Sequence, residues 1–265
     1  MTVIGAGEVE LDYERAGAGE PLLMIMGMSG TYLHWHPAFL AGLQQNLETI
    51  VHDHRGVGAS TRLEGPVTIA QLAVDAAALL DALGIESAHV LGISMGGMVA
   101  QELVLARPGL VKTLTIGCSY CGGPDATLGD PGALSELTAA MIAGDRERAL
   151  RAGWELNTAP PLRDDSDAYA EFCDIATRRS VAAGVVMAQM QACAAHDTHD
   201  RLAAVAAPTL VIHGTEDRLL PYPNGELIAS LIPGAKLETM TDRAHLFFWE
   251  EPARSAALVT ALATG

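Results

Sequence analysis

Short apolar runs and amphipathic stretches take turns along most of the chain. Glu8-Val9-Glu10-Leu11-Asp12-Tyr13-Glu14 alternates polar and apolar positions, the period of a strand with one wet face. Pro21 to Met26 is a continuous apolar run ending at Gly27, as a buried parallel strand does. Leu47 to His52 predicts another short strand, followed by a turn segment from Asp53 to Gly58. Ile69 through Leu83 carries apolar residues at helical spacing and stops at Gly84, a natural C-cap. Ser87–Leu91, Val111–Gly117, Thr209–Gly214 and Lys236–Met240 read as strands, and Ala253–Ala263 as the last helix. Strands and helices at this spacing predict βαβ units, hence an α/β fold with a doubly wound, mostly parallel sheet. In such sheets the reactive groups lie at the carboxyl ends of the strands.

The interval from Gly122 to Asp197 breaks the rhythm. It opens with Gly122-Gly123-Pro124 and then reads as helices over Leu134–Ala143, Asp145–Asn157, Asp167–Ala183 and Val185–Ala195. A helical insertion between two parallel strands predicts a cap over the strand ends. The expected organisation is a core in two parts, residues 1–121 and 198–265, with a helical cap at 122–197.

Bulk properties narrow the function. Of 265 residues, 49 % are hydrophobic and 18 % charged, enough for a sizeable core. Acidic residues number 32 against 16 basic ones, a formal charge of −16, which argues against nucleic acid as a partner. The amino-terminal Met1-Thr2-Val3-Ile4-Gly5 has no basic segment followed by an apolar one, and no run approaches the roughly 20 apolar residues of a membrane span. Cys118, Cys121, Cys173 and Cys193 are then expected as free thiols in a cytoplasmic protein. Cys118 and Cys121 form a C-x-x-C with no second pair at zinc spacing, so the plain reading is a strand end entering a loop. No metal and no cofactor is expected.

The chemistry centres on Gly92-Ile93-Ser94-Met95-Gly96-Gly97, directly after the strand run Ala88-His89-Val90-Leu91. This is a G-x-S-x-G elbow: strand, sharp turn at the serine, helix from Met98 to Ala106 stopped at Arg107-Pro108. It presents a hydroxyl at a helix N-terminus, where free N–H groups can bind developing negative charge.

A serine hydroxyl needs a histidine base oriented by a carboxylate, and after an elbow the expected order is Ser, acid, His. His245, in the loop between the last strand and the last helix, is the candidate base. His34, His36, His52 and His54 precede the elbow; His213 ends a strand, where a buried structural histidine is common. His196 and His199 form an H-x-x-H that lacks a helical Glu and reads as a linker leaving the cap. Asp217, a short loop after Gly214, is the candidate acid, with Asp125 after the preceding strand as a substitute. The oxyanion donors are the N–H of Met95 and that of Met28, in the loop Gly27-Met28-Ser29-Gly30. Gly27, His34, Trp35, Trp154 and Met187 are the expected substrate contacts, with Met141 and Met190 as further wall candidates. Asp53 to Ser60 is expected to be a structural turn held by internal ion pairs, bracing the neighbouring loop.

These residues resemble the α/β-hydrolase superfamily over essentially the whole chain. The matching pieces are Met26-Gly27-Met28, Asp53 to Ser60, Gly92 to Gly97, Val211 to Asp217 with Pro221, and His245. Within it the chain looks most similar to the group of 3-oxoadipate enol-lactonases, cofactor-free haloperoxidase-like esterases and meta-cleavage-product hydrolases. The resemblance implies Ser94 as nucleophile, Asp217 as acid, His245 as base, and Met28 and Met95 as oxyanion donors. One departure is Met26-Gly27 where members usually carry His-Gly, which bears on the hydrogen bonding of that loop. Serine rather than aspartate at position 94 argues against dehalogenase and epoxide-hydrolase chemistry.

The leading expectation is hydrolysis of an ester or lactone of a small to medium, largely apolar molecule through an acyl-Ser94 intermediate. Carbon–carbon hydrolysis of a carboxylated dienoate is the nearest alternative and would call for a cation such as Arg178 or Arg179. A lyase, cyclase, acyl transferase or small-molecule receptor on the same fold is a third. The only partner implied is a small-molecule substrate, and a homo-oligomer is left open.

Overall fold

The computed structural model describes residues 2–265. Eight strands are present: β1 (Thr2–Ala6), β2 (Val9–Gly17), β3 (Glu20–Ile25), β4 (Leu47–His52), β5 (Ala88–Ile93), β6 (Val111–Gly117), β7 (Thr209–Gly214) and β8 (Lys236–Met240). They form one sheet in the order β1-β2-β4-β3-β5-β6-β7-β8. β2 runs antiparallel to both β1 and β4. From β4 to β8 every pairing is parallel. Strand β1 escaped the sequence pattern because it is an edge strand whose single buried residue is Ala6.

The alternation within each buried strand sorts side chains onto two faces. Leu23, Ile25, Val90 and Val211 point to a core built with α2 (Ile69–Ala82), α3 (Met95–Ala106) and α9 (Pro223–Leu231). Leu22, Met24, Leu91 and Ile212 point to the other, built with α1 (Pro37–Leu43), the short α10 (Phe247–Glu250) and α11 (Pro252–Thr264). Helix α2 starts where Thr68 and Gln71 cap one another: Gln71 N–H donates to Thr68 Oγ1 at 3.1 Å and Thr68 N–H to Gln71 Oε1 at 2.9 Å.

Between β6 and β7 the chain is helical: α4 (Pro131–Ile142), α5 (Arg146–Asn157), the short α6 (Pro160–Arg163), α7 (Ser166–Arg178) and α8 (Ala183–Ala194). Apolar spacing had extended α7 to Ala183. It stops at Arg178 because Arg179 turns extended, with φ −137° and ψ 125°. Its guanidinium then reaches Asp12 on β2 at 2.7 Å, Asp53 after β4 at 2.8 Å and the Tyr32 hydroxyl at 2.9 Å.

This overturns the expectation that the Asp53–Ser60 turn is held by internal ion pairs. Its charged residues pair outward, Asp53 with Arg179 and Arg55 with Asp75 on α2. The bracing itself is present: Asp53 Oδ1 accepts the Tyr32 N–H at 2.7 Å, and His54 Nε2 donates to the Met26 carbonyl at 3.0 Å.

Candidate active site

The sheet delivers a sharp turn at Ser94, which sits at φ 56° and ψ −121° between β5 and α3. A non-glycine residue there stores strain, about 1–3 kcal/mol, that the surroundings must hold. They do so on both sides. Ser94 N–H donates to the Gly117 carbonyl at 2.9 Å, and Ser119 Oγ donates to the Ser94 carbonyl at 2.8 Å. The flanking glycines are sterically required: a Cβ on Gly92 would lie 2.1 Å from the Gly96 carbonyl oxygen, and one on Gly96 2.0 Å from that of Ile25.

The loop leaving β3 closes against this elbow. A Cβ at Gly27 would stand 3.2 Å from the Ser94 Cβ. The loop is tied by Gly30 N–H to the Gly27 carbonyl at 3.3 Å, by His54 to Met26, and by Ser29 N–H to Gln189 Oε1 on α8 at 2.9 Å. These bonds hold the loop with methionine at position 26. The N–H groups of Met28 and Met95 find no acceptor among the described residues.

Asp217 and His245 meet past the carboxyl ends of β7 and β8. His245 Nδ1 donates to Asp217 Oδ2 at 2.7 Å, with both side chains buried. Asp217 Oδ1 accepts the N–H groups of Leu219 and Leu220, each at 2.9 Å. His213 Nε2 donates to the Leu220 carbonyl at 2.7 Å and lies 3.3 Å from Asp217 Oδ2. Burial opposes ionisation of Asp217, but attraction to His245 and the hydrogen bonds from His213 and His245 outweigh it, holding the carboxyl well below the usual carboxylate range. With Nδ1 committed, Nε2 of His245 is the nitrogen left to exchange a proton.

Cys118, just past β6, places its sulfur within 4.8 Å of the Asp217 and His245 ligand atoms. This trio could hold a metal by proximity. Against that, the carboxylate oxygen is already hydrogen-bonded to His245, and burial pushes the Cys118 thiol up, so it keeps its proton.

The remaining sequence candidates divide. Gly27 packs against the elbow from the loop after β3, and His34 links loop to helices, its carbonyl accepting Trp249 Nε1–H at 2.9 Å and its ring meeting Phe172 edge-on. Trp35 is corrected: it packs among Phe39 and Phe248 in the core. Trp154 is likewise wholly buried, among Tyr169, Phe172 and Trp249, with Nε1–H donated to the Arg163 carbonyl. Met187 is 48 % exposed on α8. Asp125, the substitute acid, is an exposed partner of His199. His213 is the buried, hydrogen-bonded histidine expected at the end of its strand, but two contacts were overlooked, that of His213 with Asp217 and that of Gln189 with the loop. The signal for the first was its spacing of four from Asp217, and for the second a polar residue among the buried apolar positions of α8.

An elbow serine, a buried Asp–His pair and a glycine loop at one edge of a parallel sheet are the parts of an α/β hydrolase. The family model for the alpha/beta hydrolase fold matches residues 20–252, and the chain belongs to that family. It is 31 % identical over 257 residues to RutD of Azorhizobium caulinodans, named as a carbamate hydrolase, covering 93 % of this chain and 92 % of that one. It is 29 % identical over 252 residues to 3-oxoadipate enol-lactonase 2 of Acinetobacter baylyi, covering 93 % and 90 %. A solved hydrolase from Pseudomonas aeruginosa superposes with a TM-score of 0.85 at 28 % identity, over 99 % and 98 % of the two chains. Among the described residues no helix is long and apolar enough to cross a membrane.

Proposed function

We propose that this hydrolase cleaves an ester or lactone through an acyl-Ser94 intermediate. The observation that carries the reading is the buried 2.7 Å bond from His245 Nδ1 to an Asp217 carboxylate held ionised, past the carboxyl ends of β8 and β7 in the sheet whose β5 runs into Ser94. His245 Nε2 takes the Ser94 proton as Oγ attacks the carbonyl carbon. The N–H groups of Met28 and Met95 receive the oxyanion, Asp217 stabilises the imidazolium, and His245 hands the proton to the leaving alcohol. Water activated by the same nitrogen then releases the acid and restores Ser94.

The two arginines that a carboxylated dienoate would call on are occupied, Arg178 by Asp174 and Arg179 by Asp12 and Asp53. This favours a neutral ester or lactone over the carbon–carbon substrate. A carbamate, the substrate class in the name of RutD, offers the same carbonyl to Ser94 and belongs in the same assay panel. The expected partner is a small molecule and the expected compartment the cytoplasm, in keeping with four free thiols.

A fluorophosphonate probe should label the wild type and leave Ser94→Ala unlabelled; an unlabelled wild type sinks the proposal. Turnover across p-nitrophenyl esters, lactones, carbamates and dienoates then ranks the substrate classes. Tight binding of a small molecule with no turnover would point instead to the receptor or lyase readings.

A further inference from the structure

Gln189 is a polar side chain on the buried, otherwise apolar face of α8. It is 1 % exposed, with Val185, Val186, Ala188 and Ala192 buried on the same helix. Ala188 and Ala192 share a core cluster with Met95, the residue that follows the elbow serine. Its Oε1 accepts the Ser29 N–H at 2.9 Å, one residue past Met28.

That bond fixes the orientation of the amide. A backbone N–H can only donate, so oxygen must face Ser29 and nitrogen must face the other way. The nitrogen so placed, Nε2, is buried and has no hydrogen-bond partner among the described residues. A buried amide donor left unpaired is costly, and buried polar groups as a rule find partners. Other buried atoms share this state, including Trp35 Nε1 and both His52 ring nitrogens. His54 is bonded to the same loop and has Nδ1 unpartnered, but with its proton on Nε2 that atom is an acceptor; Gln189 differs in leaving a donor unpaired beside the loop that closes on Ser94.

We infer that Gln189 is a specificity-determining residue whose Nε2 donates to a neutral oxygen of the substrate: a ketone, ether or hydroxyl a few bonds from the carbonyl that Ser94 attacks. The inference rests on the serine-hydrolase reading above. A neutral acceptor fits better than a carboxylate because the donor is an uncharged amide and the chain carries a net charge of −16. The amide also ties substrate contact to loop position, since one side chain holds Ser29 and meets the ligand.

Two variants separate these roles. Gln189→Glu keeps an acceptor for Ser29 N–H but replaces the donor with an acceptor; Gln189→Met keeps the volume and removes both. Each is compared with wild type on matched p-nitrophenyl esters, levulinate against pentanoate and methoxyacetate against butanoate. For at least one pair, both variants should lose about tenfold more in kcat/KM on the oxygen-bearing ester than on its plain parent. Equal losses within every pair would make Gln189 a brace for the loop and overturn the inference, as would no loss at all. If fluorophosphonate fails to label the wild type, the hydrolase reading falls separately. Calorimetric binding of the corresponding methyl esters to Ser94→Ala, with and without Gln189→Met, then decides on Gln189: retained discrimination without the amide overturns it.

Discussion

His213 Nε2 lies 3.3 Å from Asp217 Oδ2, the oxygen that also receives His245 Nδ1. One carboxylate oxygen therefore faces two imidazoles while the other is held by two backbone N–H groups. His213 acts through Asp217. His213→Leu should lower kcat about tenfold and leave KM within about twofold. In an Asp217→Asn background the same change should cost little, because the partner through which it acts is already impaired. Steady-state kinetics on the four proteins checks this, and additive losses would contradict it.

Removing the Arg179 guanidinium strands two buried carboxylates, Asp12 and Asp53. Arg179→Met should lower unfolding free energy by on the order of 2–4 kcal/mol, the deep-burial figure reduced for a partly exposed arginine. Burial already pushes Asp53 up to about 6 against the pull of the Tyr32 N–H and Arg179. Without the arginine, ionising Asp53 in the fold is harder still. The deficit of the variant should therefore grow as pH rises through about 6 and beyond, which urea melts at acid and alkaline pH would show.

His52 and His196 make the fold acid-sensitive. Burial, with His54 nearby, pulls His52 down from 6.5 to about 3, and burial pulls His196 down to about 4. In the unfolded chain both take a proton below about 6.5. Between about pH 6.5 and 4 the unfolded state binds more protons, so stability falls as pH falls, by up to about 1.4 kcal/mol per pH unit for each histidine. His52 has no hydrogen bond to lose at either ring nitrogen. His52→Phe should flatten this slope in chemical denaturation, and an unchanged slope would exclude His52 as its source.

The glycines at the site fail differently when given a methyl group. At Gly96 the new carbon would meet the Ile25 carbonyl oxygen at 2.0 Å, backbone that cannot swing away. Gly96→Ala should yield little folded protein. At Gly27 the nearest atom is Ser94 Cβ at 3.2 Å, a contact relieved by a few tenths of an ångström. Gly27→Ala should fold, with kcat reduced about tenfold or more as the loop shifts from the oxyanion position. Circular dichroism beside kinetics separates the two outcomes.

What the sequence disclosed was local. The elbow announces itself because Gly92, Ser94 and Gly96 must all sit within one turn. His245 and Asp217 were found by their places after β8 and β7. The contacts that escaped join distant residues: Gln189 lies 160 positions from Ser29, and Arg179 lies 167 from Asp12. No periodicity encodes such pairs. The aromatic residues misled for a related reason: Trp154 looks like a pocket wall until Tyr169, Phe172 and Trp249 are seen to enclose it.

The order of strands has a consequence for how the protein is made. Ser94 follows β5, at the centre of the sheet, whereas Asp217 and His245 follow β7 and β8, the final strands to be synthesised and the far edge of the sheet. A nascent chain emerging from the ribosome thus carries its serine long before it has an acid or a base. By the proposed mechanism, a chain stopped anywhere between Ser94 and His245 carries the serine without the base that would activate it.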